Sequence, residues 1–306
     1  MEPSASSPAR PVDGKGVAPF ALVLLLLLPA GLAAQVAHPL AGLLWTELFV
    51  FLLPAVVATA GANLEPRGWL RLRAPSPSAA GLALLVGAAA WFLGGALFAA
   101  VRAVAPEALV QRYDLTRLFE GPVVEQAAFA VAAALVAPVC EEVAFRGYLV
   151  SAGLTRHRPA IAIGASALLF SLLHLDPIRA PALLLLGALY GWLSWRSGSI
   201  WPAVIAHATN NGIAAALLLL SPEDAGGAEP TLGMALAGVA AGAIAIAVIA
   251  AIFRAASPPT PLPTLVTLQD AGDPSSAFRL RRLPRPLVVA LVAGWLSLGA
   301  ILLGGR

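Results

Sequence analysis

Nine apolar runs, most of them about 20 residues long, limit the fold of this chain more than any other feature. A helix of that length crosses the ~30 Å hydrocarbon core of a bilayer, whereas a membrane-spanning strand needs only about 9–11 residues of alternating polarity. The runs therefore predict an all-α, polytopic integral membrane helical bundle of about eight to nine transmembrane helices. The predicted spans are 19–36, 40–61, 79–103, 123–153, 159–175, 180–196, 200–220, 231–253 and 286–304.

The composition agrees with a membrane protein and excludes a soluble domain of this size. Hydrophobic residues make up 59% of the 306 positions and charged residues only 11%, with a mean hydropathy of +0.85. Lys15 is the only lysine, so the net charge of +3 comes from arginines, which indicates membrane topology rather than nucleic-acid binding. Cys140 is the only cysteine, which excludes an intrachain disulfide and a metal site built from cysteines.

Polar segments divide the chain into four predicted regions. Residues 1–18 form a disordered N-terminal tail, 19–122 the N-terminal transmembrane helices, 123–220 a core region that contains three polar clusters, and 221–306 the C-terminal helices. The last region contains a basic, proline-rich loop at 254–285, and the mixed segment 104–122 is expected to lie along the membrane interface.

One feature of the N-terminal half bears on topology. Positive charges before the leucine run at 19–36 and small residues after it leave a signal peptide as an alternative to a first span.

The orientation follows from the lysines and arginines of the loops. If the N-terminus is inside and the chain has nine spans, only five of these basic residues lie in outer segments. Arg146 lies within a span, and all the other basic residues lie in inner segments. The positive-inside rule therefore favours an N-in orientation in a bacterial-type inner membrane. The outer five are Arg102, Arg112, Arg117, Arg179 and Arg306.

The first of three polar clusters lies within the fourth predicted span and contains Glu141, Glu142 and Arg146. A charge in hydrocarbon costs roughly 2.5–3.5 kcal/mol on insertion scales, so a chain retains one only with a partner or beside a water-filled cavity. Residues four apart share a helix face, which predicts a Glu142–Arg146 ion pair. Glu141 then projects elsewhere and is suited to take a proton from water. A salt bridge that merely joins two helices is the alternative.

The second cluster ends at His174, at the end of the fifth predicted span. If spans four and five form a hairpin that turns near His157, Glu141 lies 16 residues before the turn and His174 lies 17 residues after it. At 1.5 Å per residue, both lie ~25 Å from the turn, and this equal depth predicts a shared site. A lone histidine at a helix end more often satisfies the helix dipole, which is the alternative here.

The third cluster contains His207 and Asn211, with Asn210 less well placed, in the seventh predicted span. His207 and Asn211 are four residues apart, so both offer neutral hydrogen-bond donors to one cavity. Such donors suit the oxyanion that forms when water attacks a carbonyl. Hydrogen bonds that only join helices are the alternative.

The patterns Glu-Glu-x-x-x-Arg, Phe-x-x-x-His and His-x-x-x-Asn, in this order, resemble the CPBP (ABI) family. Its members are intramembrane glutamic endopeptidases related to the CAAX prenyl proteases and to bacteriocin-processing enzymes. The resemblance covers roughly 123–220. It implies a metal-independent endopeptidase without a cofactor, which acts on a membrane-embedded or membrane-associated peptide or protein. It also implies the following roles: Glu141 as general base, His174 as its partner in activating water, His207 and Asn211 as oxyanion donors, and Glu142 and Arg146 in support.

Three alternatives follow from the same residues. Glu141, His174 and His207 have the composition of a His₂Glu zinc site, although a His-Glu-x-x-His motif is absent. Intramembrane ionisable residues also form the ion relays of transporters, but the two halves of the chain show no internal repeat. A non-catalytic membrane scaffold or immunity protein is the third alternative, and cleavage that depends on Glu141 separates it from an enzyme.

Overall fold

The structure is a computed structural model that describes residues 17–62, 64–113, 122–220, 230–256 and position 297. Four predicted segments lie wholly or largely outside these residues: the disordered tail except its last two residues, residues 221–229, most of the loop 254–285, and the ninth span except position 297. Within them the chain forms ten continuous helices, which confirms the predicted all-α bundle. The helices are α1 (Val17–Ala37), α2 (Pro39–Gly61), α3 (Pro66–Trp69), α4 (Pro77–Arg102), α5 (Glu107–Arg112), α6 (Val123–Leu154), α7 (Pro159–Leu173), α8 (Ala180–Ser197), α9 (Trp201–Leu220) and α10 (Leu232–Ala256).

Six of these helices, namely α1, α2, α4, α6, α9 and α10, are long and apolar enough to cross a membrane. The fifth and sixth predicted spans correspond to α7 and α8. With 15 residues, α7 is about 22 Å long and shorter than the bilayer core. The C-terminal half of α8 carries Tyr190, Trp192, Ser194 and Arg196, which lower its hydropathy, and it is buried in the bundle through residues such as Tyr190 and Leu193. Of the predicted interfacial segment 104–122, the short helix α5 is described, and 114–121 lie outside the described residues.

Prolines and small capping side chains set where the helices begin. Pro39, Pro66, Pro77 and Pro159 each occupy the first turn, where a missing N–H costs nothing. The Ser76 hydroxyl accepts a hydrogen bond from the backbone N–H of Ala79 at 3.2 Å and so caps α4.

Small residues let the central helices approach closely. A side chain at Gly87 of α4 would collide with the backbone of Ala206 on α9, and one at Gly242 of α10 would meet Leu93 of α4. Small residues at such contacts are typical of membrane helix packing. They hold α9, which carries His207, against the centre of the bundle.

The first helix packs directly on the helix that carries the carboxylates. The rings of Phe20 on α1 and Tyr148 on α6 lie 4.3 Å apart between centroids, and Leu24 is fully buried. The first apolar run is therefore part of the helical bundle.

Arg71 joins three segments at one end of the bundle. Its Nε donates to Ser151 Oγ at 3.0 Å and its Nη1 donates to Ser194 O at 3.2 Å, while its backbone takes a left-handed φ of 56°. The side chain is 3% exposed, and burial lowers the pKa of Arg71 to about 10, so it remains charged at neutral pH. The loops after α2, α6 and α8 thus meet at one end, as alternating spans predict.

Arg71 should stabilise this end of the bundle. We expect Arg71→Leu to lower the free energy of unfolding by about 1.5–3 kcal/mol, the usual contribution of a hydrogen bond from a charged group. The exposed Arg73 is the matched control, because surface substitutions generally change stability by less than about 0.5 kcal/mol. Equal melting temperatures for Arg71→Leu and Arg73→Leu in detergent would contradict this role.

Candidate active site

The Glu142–Arg146 pair predicted from the sequence lies in the middle of the bundle. Arg146 Nη1 donates to Glu142 Oε1 at 2.9 Å, and its Nη2 donates to the backbone carbonyl of Gly187 at 3.0 Å. Both side chains are fully buried. The guanidinium carbon also lies 4.6 Å from the centre of the Phe170 ring, close enough for a cation–π contact. The pair therefore ties α6 to α7 and α8.

His207 of α9 adds a contact that the sequence did not predict. Its Nδ1 lies 3.0 Å from Glu142 Oε1, the oxygen that also accepts from Arg146. A carboxylate accepts hydrogen bonds, so Nδ1 carries the hydrogen of this contact. Tyr190 stacks on the imidazole with ring centroids 4.9 Å apart. Glu142 and Tyr190 together fix the orientation of His207 and direct its Nε2 away from Glu142.

His174 is placed by the turn that follows α7. Asp176 Oδ1 accepts hydrogen bonds from the backbone N–H groups of Ile178 and Arg179 at 2.9 and 3.0 Å, and Leu175 takes a left-handed φ of 52°. His174 Nδ1 lies 2.8 Å from the carbonyl oxygen of Phe170. A carbonyl only accepts, so Nδ1 donates, and in a neutral imidazole Nε2 is then left as an acceptor.

Glu141 lies between the two histidines. Its Oε1 is 4.0 Å from His174 Nε2 and its Oε2 is 3.6 Å from His207 Nε2. Both distances exceed the usual hydrogen-bond length of 2.7–3.2 Å, so neither is a direct hydrogen bond, and a water molecule bonded to both atoms of a pair would lie beside the line that joins them. Glu141 is 6% exposed and His207 5%. Three helices or helix ends thus bring a carboxylate and two imidazole nitrogens together in the bundle interior.

Asn211 lies one turn after His207 on α9, but its side chain forms hydrogen bonds with α6 and with Asn210 rather than with Glu141 or His174. Its Nδ2 donates to the carbonyl oxygen of Ala133 on α6 at 3.0 Å, and its Oδ1 accepts from Asn210 Nδ2 at 2.9 Å. An amide nitrogen carries two hydrogens, so one remains for a ligand.

Two residues near the site were missed by the sequence analysis. Tyr190 carries no motif, and nothing in the sequence separates it from other aromatic residues of the bundle. Glu47 on α2 is 3% exposed, and its helix packs against the Ala137–Glu142 segment of α6. The position of Glu47 as a lone carboxyl within an apolar run could have identified it as a candidate site residue, because ionisable residues inside a membrane span are functional candidates by default.

The geometry also bears on the zinc alternative. Among the described residues, no group of three or more His, Cys, Asp or Glu side chains is arranged to hold a metal ion.

Comparison with known proteins identifies the segment that carries these residues. Residues 123–213 match a family model described as type II CAAX prenyl endopeptidase Rce1-like. No curated protein and no solved structure matched the chain. The matched segment begins with α6 and contains all three polar clusters, and at the level of the family the activity is that of a membrane protease. The match supports the CPBP/CAAX protease family that the motifs predicted, over residues 123–213.

Proposed function

We propose that this protein is an intramembrane, metal-independent glutamic endopeptidase that hydrolyses a peptide bond of a membrane-associated protein or peptide. The position of Glu141 between His174 and His207, buried in the segment that matches the family, carries this proposal. Its experimental test is cleavage by the purified protein, with Glu141→Gln as the inactive control. The substrates would be quenched fluorogenic peptides anchored in liposomes, prenylated CAAX peptides among them.

In the proposed mechanism a water molecule lies between Glu141 and His174. His174 Nδ1 is occupied by Phe170 O, so Nε2 accepts one hydrogen of this water while Glu141 Oε1 accepts the other. As the water oxygen attacks the carbonyl carbon, Glu141 takes its proton, and a tetrahedral oxyanion forms. When the C–N bond breaks, Glu141 returns the proton to the leaving amine, and the carboxylate is restored.

The oxyanion is stabilised by His207 and Asn211 in this mechanism. Because His207 Nδ1 already donates to Glu142, its Nε2 donates a hydrogen bond only when the imidazole carries a second proton. This modifies the neutral donor expected from the sequence. The second N–H of Asn211 supplies the other hydrogen bond, since Ala133 O takes the first.

Loss of either oxyanion donor should slow the chemical step. We expect His207→Ala and Asn211→Ala each to reduce kcat by about 10²–10³-fold, the usual effect of removing one such donor, with KM little changed. The exposed His157→Ala, in the turn between α6 and α7, is the control and should cleave like wild type. A large rise in KM with unchanged kcat would assign these residues to substrate binding instead.

The location of the site follows from the membrane topology that we propose. The protein is a multi-pass membrane protein, and we infer that its N-terminus faces the cytoplasm in a bacterial-type inner membrane, as the distribution of arginines indicates. The loops pinned by Arg71 would then lie on the cytoplasmic side. No nucleic acid or cofactor is part of this proposal.

A further inference from the structure

Glu47 is a buried acidic residue that the proposed mechanism does not use. It lies in the membrane-spanning helix α2 and is 3% exposed. Among the described residues, its Oε2 has no hydrogen-bond partner, and none of them forms an ion pair with this carboxyl. The preceding residue, Thr46, is satisfied by contrast, because its hydroxyl donates to Gly42 O and accepts from Gln35. A carboxyl retained in hydrocarbon without a partner calls for a functional explanation.

The surroundings of Glu47 connect it with the catalytic glutamate. The π-helical segment Thr46–Leu52 packs against the α6 segment Ala137–Glu142, and Glu47 interacts electrostatically with Glu141 and with the Cys140 thiol. A second π-helical segment, Val143–Leu149, follows Glu142 directly on α6. Single π-helical turns within longer helices are frequent at functional sites.

The charges around this position leave Glu47 no cation to pair with. The ionisable groups of α6 that interact electrostatically with Glu47 are Cys140 and Glu141, and the described part of α1, which also packs against this segment, contributes none. Arg146, the cation on this part of α6, already donates to Glu142 and to Gly187 O. Two negative carboxylates on packed helix segments in an apolar interior repel each other strongly, so one of the two must hold a proton.

We propose that Glu47 is a positioning residue that remains a neutral carboxylic acid and donates a hydrogen bond, directly or through one water molecule, to the Glu141 carboxylate. A donor on this third side of Glu141 favours its charged form, while His174 and His207 occupy the other two sides. The inference rests on the proposed function of Glu141. During turnover Glu47 keeps its proton, and only Glu141 exchanges one with the substrate.

The test compares Glu47→Gln with Glu47→Leu in the cleavage assay. Gln keeps a hydrogen-bond donor at this position, so it should retain activity, whereas Leu should lower kcat by about ten- to a hundredfold, the effect of one hydrogen bond to a charged group. Leu is at least as compatible with a membrane span as Glu, so its melting temperature should not fall. Glu125→Leu, on the exposed start of α6, is the matched control and should be fully active.

Two outcomes would overturn the proposal. Wild-type activity of Glu47→Leu would show that the carboxyl does not support catalysis, and equal loss in both folded variants would show that it acts as an ionised group. These results are interpretable only while wild type cleaves and Glu141→Gln does not, so failure of the proposed function is recognised separately.

A spectroscopic measurement tests the same claim without any substrate. The infrared spectrum of wild type should contain the carbonyl band of a protonated carboxylic acid that Glu47→Gln lacks. Identical spectra in this region would overturn the proposal, and the comparison does not depend on the folding of Glu47→Leu.

Discussion

Replacing Glu141 with Gln should reduce peptide cleavage by at least about 10²–10⁴-fold, the contribution of a positioned general base. His174→Ala should have a nearly equal effect, because in the proposed mechanism both side chains orient the same water molecule. The double variant should be scarcely slower than either single variant, since residues that act as one catalytic unit have non-additive effects. Steady-state rates of the three variants with one anchored peptide provide the measurement.

Two exposed residues serve as controls for these substitutions. Glu125→Gln lies on the same helix as Glu141, and His157→Ala lies in the turn between α6 and α7. Both should cleave like wild type. Multiplicative losses in the Glu141/His174 double variant would mean that the two side chains act on different steps.

Arg146→Ala should be the most destabilising single substitution in the core. It removes the guanidinium that pairs with the fully buried Glu142 and leaves that carboxylate with His207 alone, and breaking a buried pair in this way typically costs ~3–5 kcal/mol. The contact with the Phe170 ring and the hydrogen bond to Gly187 O are lost as well. We expect lower yield and a lower melting temperature, whereas Glu141→Gln should melt like wild type.

The origin of this loss is tested by removing both charges. Glu142→Ala combined with Arg146→Ala leaves no uncompensated charge, so the double variant should be more stable than Arg146→Ala alone. It should still be a poor enzyme, because Glu142 also orients His207. A double variant less stable than the single one would mean that the pair matters through packing rather than charge.

The periodic features of the fold and of the site were predictable from the sequence. Apolar runs fix the existence of the long helices, and a spacing of four fixes the Glu142–Arg146 pair within α6. The meeting of Glu141 with His174 follows from equal distances to one turn, a property of helix geometry alone.

Contacts between distant segments were not predictable in the same way. His207 reaches Glu142 across 65 residues, and no spacing rule relates positions on different helices. Arg71 has the sequence context of an ordinary topological arginine, yet its left-handed backbone turns it into the bundle. The polar residues of α8 lower its hydropathy and are tolerated because the helix is buried in the bundle. A hydropathy pattern along the sequence does not distinguish burial in protein from burial in lipid.

The central claim is that Glu141, rather than a metal ion, activates the water molecule. Its most direct test is the cleavage rate of purified wild-type protein before and after exhaustive treatment with a strong chelator, measured beside Glu141→Gln. The glutamic mechanism predicts an unchanged rate for treated wild type and background cleavage by Glu141→Gln. Loss of wild-type activity with chelator, restored by added zinc, would contradict it and assign Glu141, His174 and His207 to a metal site.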